Sequence, residues 1–216
     1  MTVIGRARIL ELLSQDTAIA ARLVVSPLLD PSSQIGEGSI DLRLGNFFIV
    51  TRTARLGGIE PYELLTPTAI EEYQETIYVP FQKTMWIHPG TFVLGGTLEY
   101  VRLPQGLYAD VTARSSWARL GLSIASAVAV HPGFYGCLTL ELVNNGNTPV
   151  GIHPGDRIGQ LTIYEVVPQA KPIEGLVGKY QGFTTPTYSR LPEERNERQR
   201  WNALGRSLEL YPPGSQ

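Results

Sequence analysis

The chain has 216 residues, 43% of them hydrophobic and 18% charged, with a net charge of −2. That balance describes a globular chain with a real core, excludes a disordered one, and offers no basic excess for nucleic acid as the main ligand. Cys137 is the one cysteine, which excludes an intrachain disulfide, and with three histidines it is too little for a zinc site of closely spaced Cys/His pairs. No basic-then-apolar leader pattern opens the chain, and no apolar run has the length of a membrane span. A cytoplasmic protein with no membrane contact is expected.

Residues 3–14 place Val3, Ile4, Ala7, Leu10 and Leu13 on one helical face, so a short amphipathic helix is predicted. Ser26-Pro27 and Asp30-Pro31-Ser32-Ser33 read as a loop. Ile40, Leu42 and Leu44 alternate with Ser39, Asp41 and Arg43, the pattern of a half-buried strand, and Phe47–Val50 reads as another strand. Residues 51–76 are polar and turn-rich and read as a surface excursion. Strands are expected at Thr76–Val79, Thr91–Val101, Leu107–Thr112, Cys137–Val143, Val150–Ile152 and Arg157–Val167. Short strands divided by Gly, Pro and Asn turns, with one short helix between them, point to a mainly β fold of the sandwich or jelly-roll kind.

All three histidines stand in His-Pro-Gly, at 88–90, 131–133 and 153–155, each ahead of a strand. Pro-Gly is a turn signal, because proline presets φ and glycine accepts positive φ. Residues 179–190 are polar, aromatic and turn-prone, a composition that folds over ligands. One β domain is expected over residues 1–191, with a lid over about 168–190, and residues 192–216 form a charged tail.

The stretch from Arg114 to Leu142 carries the chemistry. Arg114, Ser115 and Ser116 precede a short helical run, where backbone N–H groups, hydroxyls and a guanidinium make an anion site. The alternative is a serine N-cap with a solvated arginine. Glu141 interrupts the apolar run Leu138–Val143, either as an outward strand residue or as an acid facing substrate.

These segments resemble the dCTP deaminase branch of the dUTPase superfamily. The resemblance runs through Ser39–Gly45, Arg114–Leu122, Pro132–Leu142, Arg157–Leu161, Lys179–Gly182 and Ser189–Leu191, in order. It implies a homotrimer of distorted jelly rolls with active sites between subunits. It also implies zinc-free hydrolysis of dCTP to dUTP, with Mg2+ bound through the triphosphate. Glu141 would handle protons, and Arg119, with Ser115, would organise the attacking water. Arg114, Ser115, Ser116 and Gln160 would hold phosphates, and Lys179, Tyr180 and Gln181 belong to the lid motif. Gln160 has the plain alternative of an ordinary polar strand residue, and Lys179 that of a solvated loop residue.

Three departures bear on the substrate. His131 stands where the family carries an Asp that meets the sugar. A histidine there is a base near neutral pH, with a free pKa of about 6.5, or simply the turn residue of the repeat. The segment Ser123–Val130 is one residue shorter and less polar than in typical members, and Phe183 replaces a lid Gln. Fewer polar contacts discriminate a base less well. A dUTPase-like pyrophosphohydrolase, a bifunctional deaminase-diphosphatase and a non-catalytic nucleotide binder therefore stand as alternatives.

Overall fold

A computed structural model describes residues 2–52, 59, 70, 73–125, 128–166 and 178–191. The chain groups into two compact units, Met1–Thr51 with Thr76–Thr187, and Arg52–Glu75 with Tyr188–Gln216. In the second, the Arg52 N–H donates to the Tyr73 carbonyl at 2.8 Å and its guanidinium meets Glu75 at 3.1 Å. Residues 192–216, the expected tail, lie outside the described residues, as do 167–177 of the expected lid.

The first unit is mainly β. Its elements are β1 (Thr2–Val3), α1 (Arg6–Ser14), β2 (Val24–Ser26), α2 (Pro31–Gln34), β3 (Ser39–Thr51), β5 (Met85–Ile87), β6 (Phe92–Arg102), β7 (Leu107–Ala113), α3 (Ser115–Ala118), β8 (Leu122–Ile124), β9 (Val128–Val130), β10 (Tyr135–Asn144), β11 (Val150–Ile152) and β12 (Arg157–Glu165); β4 (Gln74–Tyr78) begins in the other unit. The antiparallel order is β8-β10-β6-β3-β12-β7-β9, with β1 on β12 and β2 on β6, while β5 and β11 pair separately. The expected helix begins only at Arg6, because Thr2 and Val3 pair with Glu165 and Tyr164 as strand.

The two strands expected at Ser39–Gly45 and Phe47–Val50 are one. The first part of β3 pairs with β12, and the part from Leu44 onward pairs with β6, with a register shift between Leu44 and Phe48. Such irregularities let one strand pass between two sheet halves. At the crossing a Cβ on Gly45 would stand 3.3 Å from the carbonyls of Gly96 and Thr97. A single hydrophobic core gathers residues from both halves, among them Leu42, Phe48, Leu140 and Leu161.

Nor is β3 half-buried as its alternation suggests. Asp41 and Arg43, on its polar face, are buried too. The Arg43 guanidinium meets Glu99 of β6, and the Asp41 carboxylate meets Arg114, Arg157 and Gln160. Glu99 has no exposed surface, and its carboxylate accepts hydrogen bonds from the Arg43 backbone N–H (2.7 Å), the Arg43 guanidinium (3.2 Å) and Gln34 Nε2 (2.9 Å). Gln34 Nε2 also donates to the Asp41 carbonyl at 2.9 Å.

The three His-Pro-Gly segments form the same turn. The residue after each glycine donates to the histidine carbonyl at 3.0, 3.1 and 3.0 Å, and Gly90, Gly133 and Gly155 have φ of 72°, 81° and 94°. Each turn launches a strand: β6, β10 and β12. Among the described residues no helix is long and apolar enough to cross a membrane.

Burial raises the Glu99 pKa, with the Arg43 backbone N–H acting against it. The folded chain therefore keeps this proton at pH values where the unfolded chain has lost it. The resulting stability is complete below the ordinary carboxylate range and is lost as pH rises through the raised value. Glu99→Gln lacks that slope and turns an amide NH2 toward donors, costing about 1–3 kcal/mol. Urea unfolding should show the wild-type advantage to be larger at pH 5 than at pH 8; a gap that widens with pH would contradict the assignment.

Candidate active site

The helix α3 begins where β7 ends. Its N-cap is Arg114, in extended conformation, and no side chain caps the helix. Ser115 and Ser116, both exposed, are thus the first helical residues rather than caps. Two bonds pin α3 to the start of β12. The Arg114 N–H donates to the Ile158 carbonyl at 3.0 Å, and the Trp117 indole N–H donates to the Arg157 carbonyl at 2.7 Å.

Beside α3 the charged groups meet on Asp41. Its Oδ2 lies 3.6 Å from Arg114 Nη1 and 3.6 Å from Arg157 Nη1, and its Oδ1 accepts from Gln160 Nε2 at 3.3 Å. The register explains the meeting, because Asp41 on β3, Gln160 on β12 and Thr112 on β7 form one row across three strands. Arg157 also donates to the Ser33 carbonyl (3.0 Å) and Ser33 Oγ (2.6 Å). The Ser32 and Ser33 hydroxyls hold the neighbouring Asp30 carboxyl down to about 2. Arg119 closes α3 as an exposed C-cap.

Glu141 stands on β10, where Leu138, Leu140 and Leu142 are buried in the core. Cys137, Thr139, Glu141 and Val143 point the other way and are half-buried. Burial, and then the charge of Glu99, push the Cys137 thiol up, so it stays protonated near neutral pH.

The segment 182–187 crosses this outer face as a strap. The Gly182 N–H donates to the Tyr135 carbonyl and the Cys137 N–H to the Phe183 carbonyl, each at 2.7 Å. The Thr187 N–H reaches Thr139 Oγ1 at 3.2 Å, and a Cβ on Gly96 would meet Pro186 Cδ at 2.9 Å. Just before it, the Gln181 N–H donates to the Gly178 carbonyl at 3.3 Å, and Lys179 and Tyr180 occupy that turn.

His131 follows β9, and its ring lies edge-on to Tyr108, 5.9 Å between centroids. The Tyr108 hydroxyl donates to Asp110 Oδ1 at 2.7 Å, which raises the phenol pKa. Tyr108 is the second residue of β7, and Arg114 follows its end. From 108 to 114 the strand runs about 20 Å at ~3.3 Å per residue. Arg114 and Gln160 thus meet beside the end of β7, while the His131 ring lies against Tyr108 near its start.

A family described as dCTP deaminase-like matches residues 6–166 of the chain. The chain belongs to the dCTP deaminase-like family. Among similar proteins, the dCTP deaminase of Natronomonas pharaonis is 41% identical over 176 residues, 80% of this chain and 89% of that one. The dCTP deaminase, dUMP-forming, of Dictyoglomus thermophilum is 42% identical over 173 residues, 79% and 87% of the two chains. The crystal structure of 2′-deoxycytidine 5′-triphosphate deaminase from Agrobacterium tumefaciens shares the fold, with a TM-score of 0.55 at 20% identity. That match covers 75% of this chain and 48% of the Agrobacterium chain.

Arg114 and Gln160, singled out in the sequence, meet on Asp41 together with Arg157, and neither Asp41 nor Arg157 was singled out there. Asp41 was visible as the acid of an alternating strand, with nothing in the alternation to say that two arginines would turn to it. The strap's seat was also missed. Gly136 has φ of 140°, and a Cβ there would stand 2.9 Å from the Phe183 carbonyl. Gly136→Ala should therefore lift the strap while leaving the core in place. Hydrogen exchange at the Cys137 amide should accelerate at least about tenfold, and unchanged protection would refute this seating.

Proposed function

We propose that this chain hydrolyses the amino group of dCTP, giving a deoxyuridine nucleotide and ammonia. The observation that carries the reading is identity of about two fifths, over four fifths of the chain, to relatives named for that reaction. Water must add at C4 of the cytosine while a proton reaches N3, and the tetrahedral carbon must then release a protonated amine. Glu141 is assigned both transfers: it takes the proton from water, gives it to N3, and passes the second hydroxyl proton to the departing nitrogen. Arg119 and Ser115 orient the water, and Arg114, Ser115, Ser116 and Gln160 hold phosphates. Lys179, Tyr180 and Gln181 close over the triphosphate.

The site is assigned to a boundary between copies of the chain, in a homotrimer. One feature supports this: Glu141, on the outer face of β10, is only half-buried within the single chain.

Magnesium takes hard oxygen ligands and keeps several waters. Asp41 already faces Arg114, Arg157 and Gln160, so these residues suit a metal ion carried by phosphate oxygens rather than one caged by protein. When bound, the ion neutralises phosphate charge. Arg114 and Gln160 would then fix the orientation of the same phosphates.

Relatives named with and without a dUMP product make pyrophosphate release a second reading. His131 is the residue assigned to it, as a base beside the sugar. Incubation of dCTP and other nucleoside triphosphates with enzyme and magnesium, assayed in parallel for ammonia and pyrophosphate, separates the readings. Ammonia alone means dUTP, ammonia with pyrophosphate means dUMP, and neither from dCTP rejects the proposal.

Glu141→Gln should lower ammonia release by about 10²–10⁴-fold with nucleotide binding retained. Co-assembly of inactive Glu141→Gln and Arg119→Ala chains should restore about a quarter of the activity if each site draws these residues from neighbouring copies in a ring. No recovery in verified mixed trimers would place both residues in one chain's share of the site.

A further inference from the structure

Arg157 and Trp117 have no role in the reading above, yet they converge on its phosphate end. At the start of β12 the pairing with β3 slips between Arg157 and Gly159. The Arg157 carbonyl at this irregularity accepts the Trp117 indole N–H at 2.7 Å, while the next carbonyl, of Ile158, accepts the Arg114 N–H at 3.0 Å. The short helix bearing Ser115 and Ser116 is thus tied at two points to two successive residues of another strand. A four-residue helix has little stability of its own. Its direction is set by these ties.

The Arg157 side chain extends the tie to the opposite side. Its two terminal nitrogens grip Ser33, through the carbonyl at 3.0 Å and the hydroxyl at 2.6 Å. This holds Nη1 at 3.6 Å from Asp41 Oδ2, the oxygen that also lies 3.6 Å from Arg114 Nη1. These separations exceed the roughly 2.7–2.9 Å of a tight charge-assisted hydrogen bond. Asp41 therefore offsets the repulsion of two neighbouring guanidiniums and aims Arg114 without saturating its donors. On its other oxygen, at 3.3 Å, it aims Gln160. Below the face, the Asp41 carbonyl is held by buried Gln34 at 2.9 Å, so the carboxylate's own position is fixed from the core.

We propose that Trp117, Arg157 and Asp41 form a positioning brace. It fixes the direction of α3 and presets Arg114 and Gln160 for a triphosphate before the ligand arrives. The inference rests on the assignment of Arg114 and Gln160 to phosphate. Preset groups lose less freedom on binding, so the brace acts on affinity for the phosphate chain more than on the chemical step.

Trp117→Phe keeps an aromatic ring and deletes only the indole N–H. Arg157→Lys keeps the charge and deletes the two-pronged grip on Ser33. Inorganic tripolyphosphate binding should be measured by calorimetry on the full-length protein, below the melting temperature of every variant, beside dCTP kinetics with magnesium. Each variant should bind tripolyphosphate about five- to tenfold more weakly, and KM for dCTP should rise by a similar factor with a smaller change in kcat. A lowered melting temperature with wild-type tripolyphosphate affinity in both variants would overturn the brace and leave these residues a purely structural role. A wild-type protein that releases no ammonia from dCTP, yet whose tripolyphosphate affinity falls in both variants, would sink the substrate assignment and leave the brace standing.

Discussion

The Glu99 carboxylate, fully enclosed where β3 meets β6, is the contact on which the rest of the first unit depends. It takes the backbone N–H and the guanidinium of Arg43, and the amide of Gln34. It therefore fixes main chain as well as side chains, at the point where β3 leaves β12 for β6. A buried ion pair is weak support for stability, because desolvation opposes it. Its strength lies in geometry: three directional bonds define one register for β3. Gln34 passes that definition on by holding the Asp41 carbonyl, and Asp41 carries it to the arginines outside.

Much of the fold was legible because most strands obey alternation. Leu138, Leu140 and Leu142 point inward on β10, and Glu141 outward, as their order implies. The three His-Pro-Gly turns were legible because proline and glycine leave the backbone little choice. At Glu99 burial runs against the local hydrophobic pattern. Leu98 and Tyr100 flank it, so the apolar face should be theirs, yet Thr97, Glu99 and Val101 are the buried residues. The inversion is tolerable only because Arg43 and Gln34 arrive from distant parts of the chain, and no local window contains them. Strands β2, β8 and β9, of three residues each, are too short for a period to emerge.

The site was legible in its parts and not in its arrangement. The run from Arg114 to Arg119 and the strand around Glu141 are separate motifs in the sequence, and they remain on separate elements in the fold. What the sequence could not show is the row of Asp41, Gln160 and Thr112, because strand pairing creates it. Nor could it show that His131, near the middle of the motif-bearing stretch, would lie against Tyr108 at the far end of β7. Position along the chain and position along a strand are unrelated once β7 and β9 run antiparallel.

The strap over β10 has a second consequence, for solubility rather than catalysis. One side of β10 pairs with β6 from Tyr135 to Val143, with a register shift between Cys137 and Thr139, but on the other side β8 reaches only Leu142, Val143 and Asn144. Ala125 donates to the Glu141 carbonyl, and the strap takes the Tyr135 carbonyl and the Cys137 N–H. Together they cap most of what would be an open, apolar strand edge, the kind of surface on which chains add to one another. Lifting the strap would bare the Tyr135 carbonyl and the Cys137 N–H. The same two bonds that seat the strap therefore keep this part of the edge from serving as a template for strand addition.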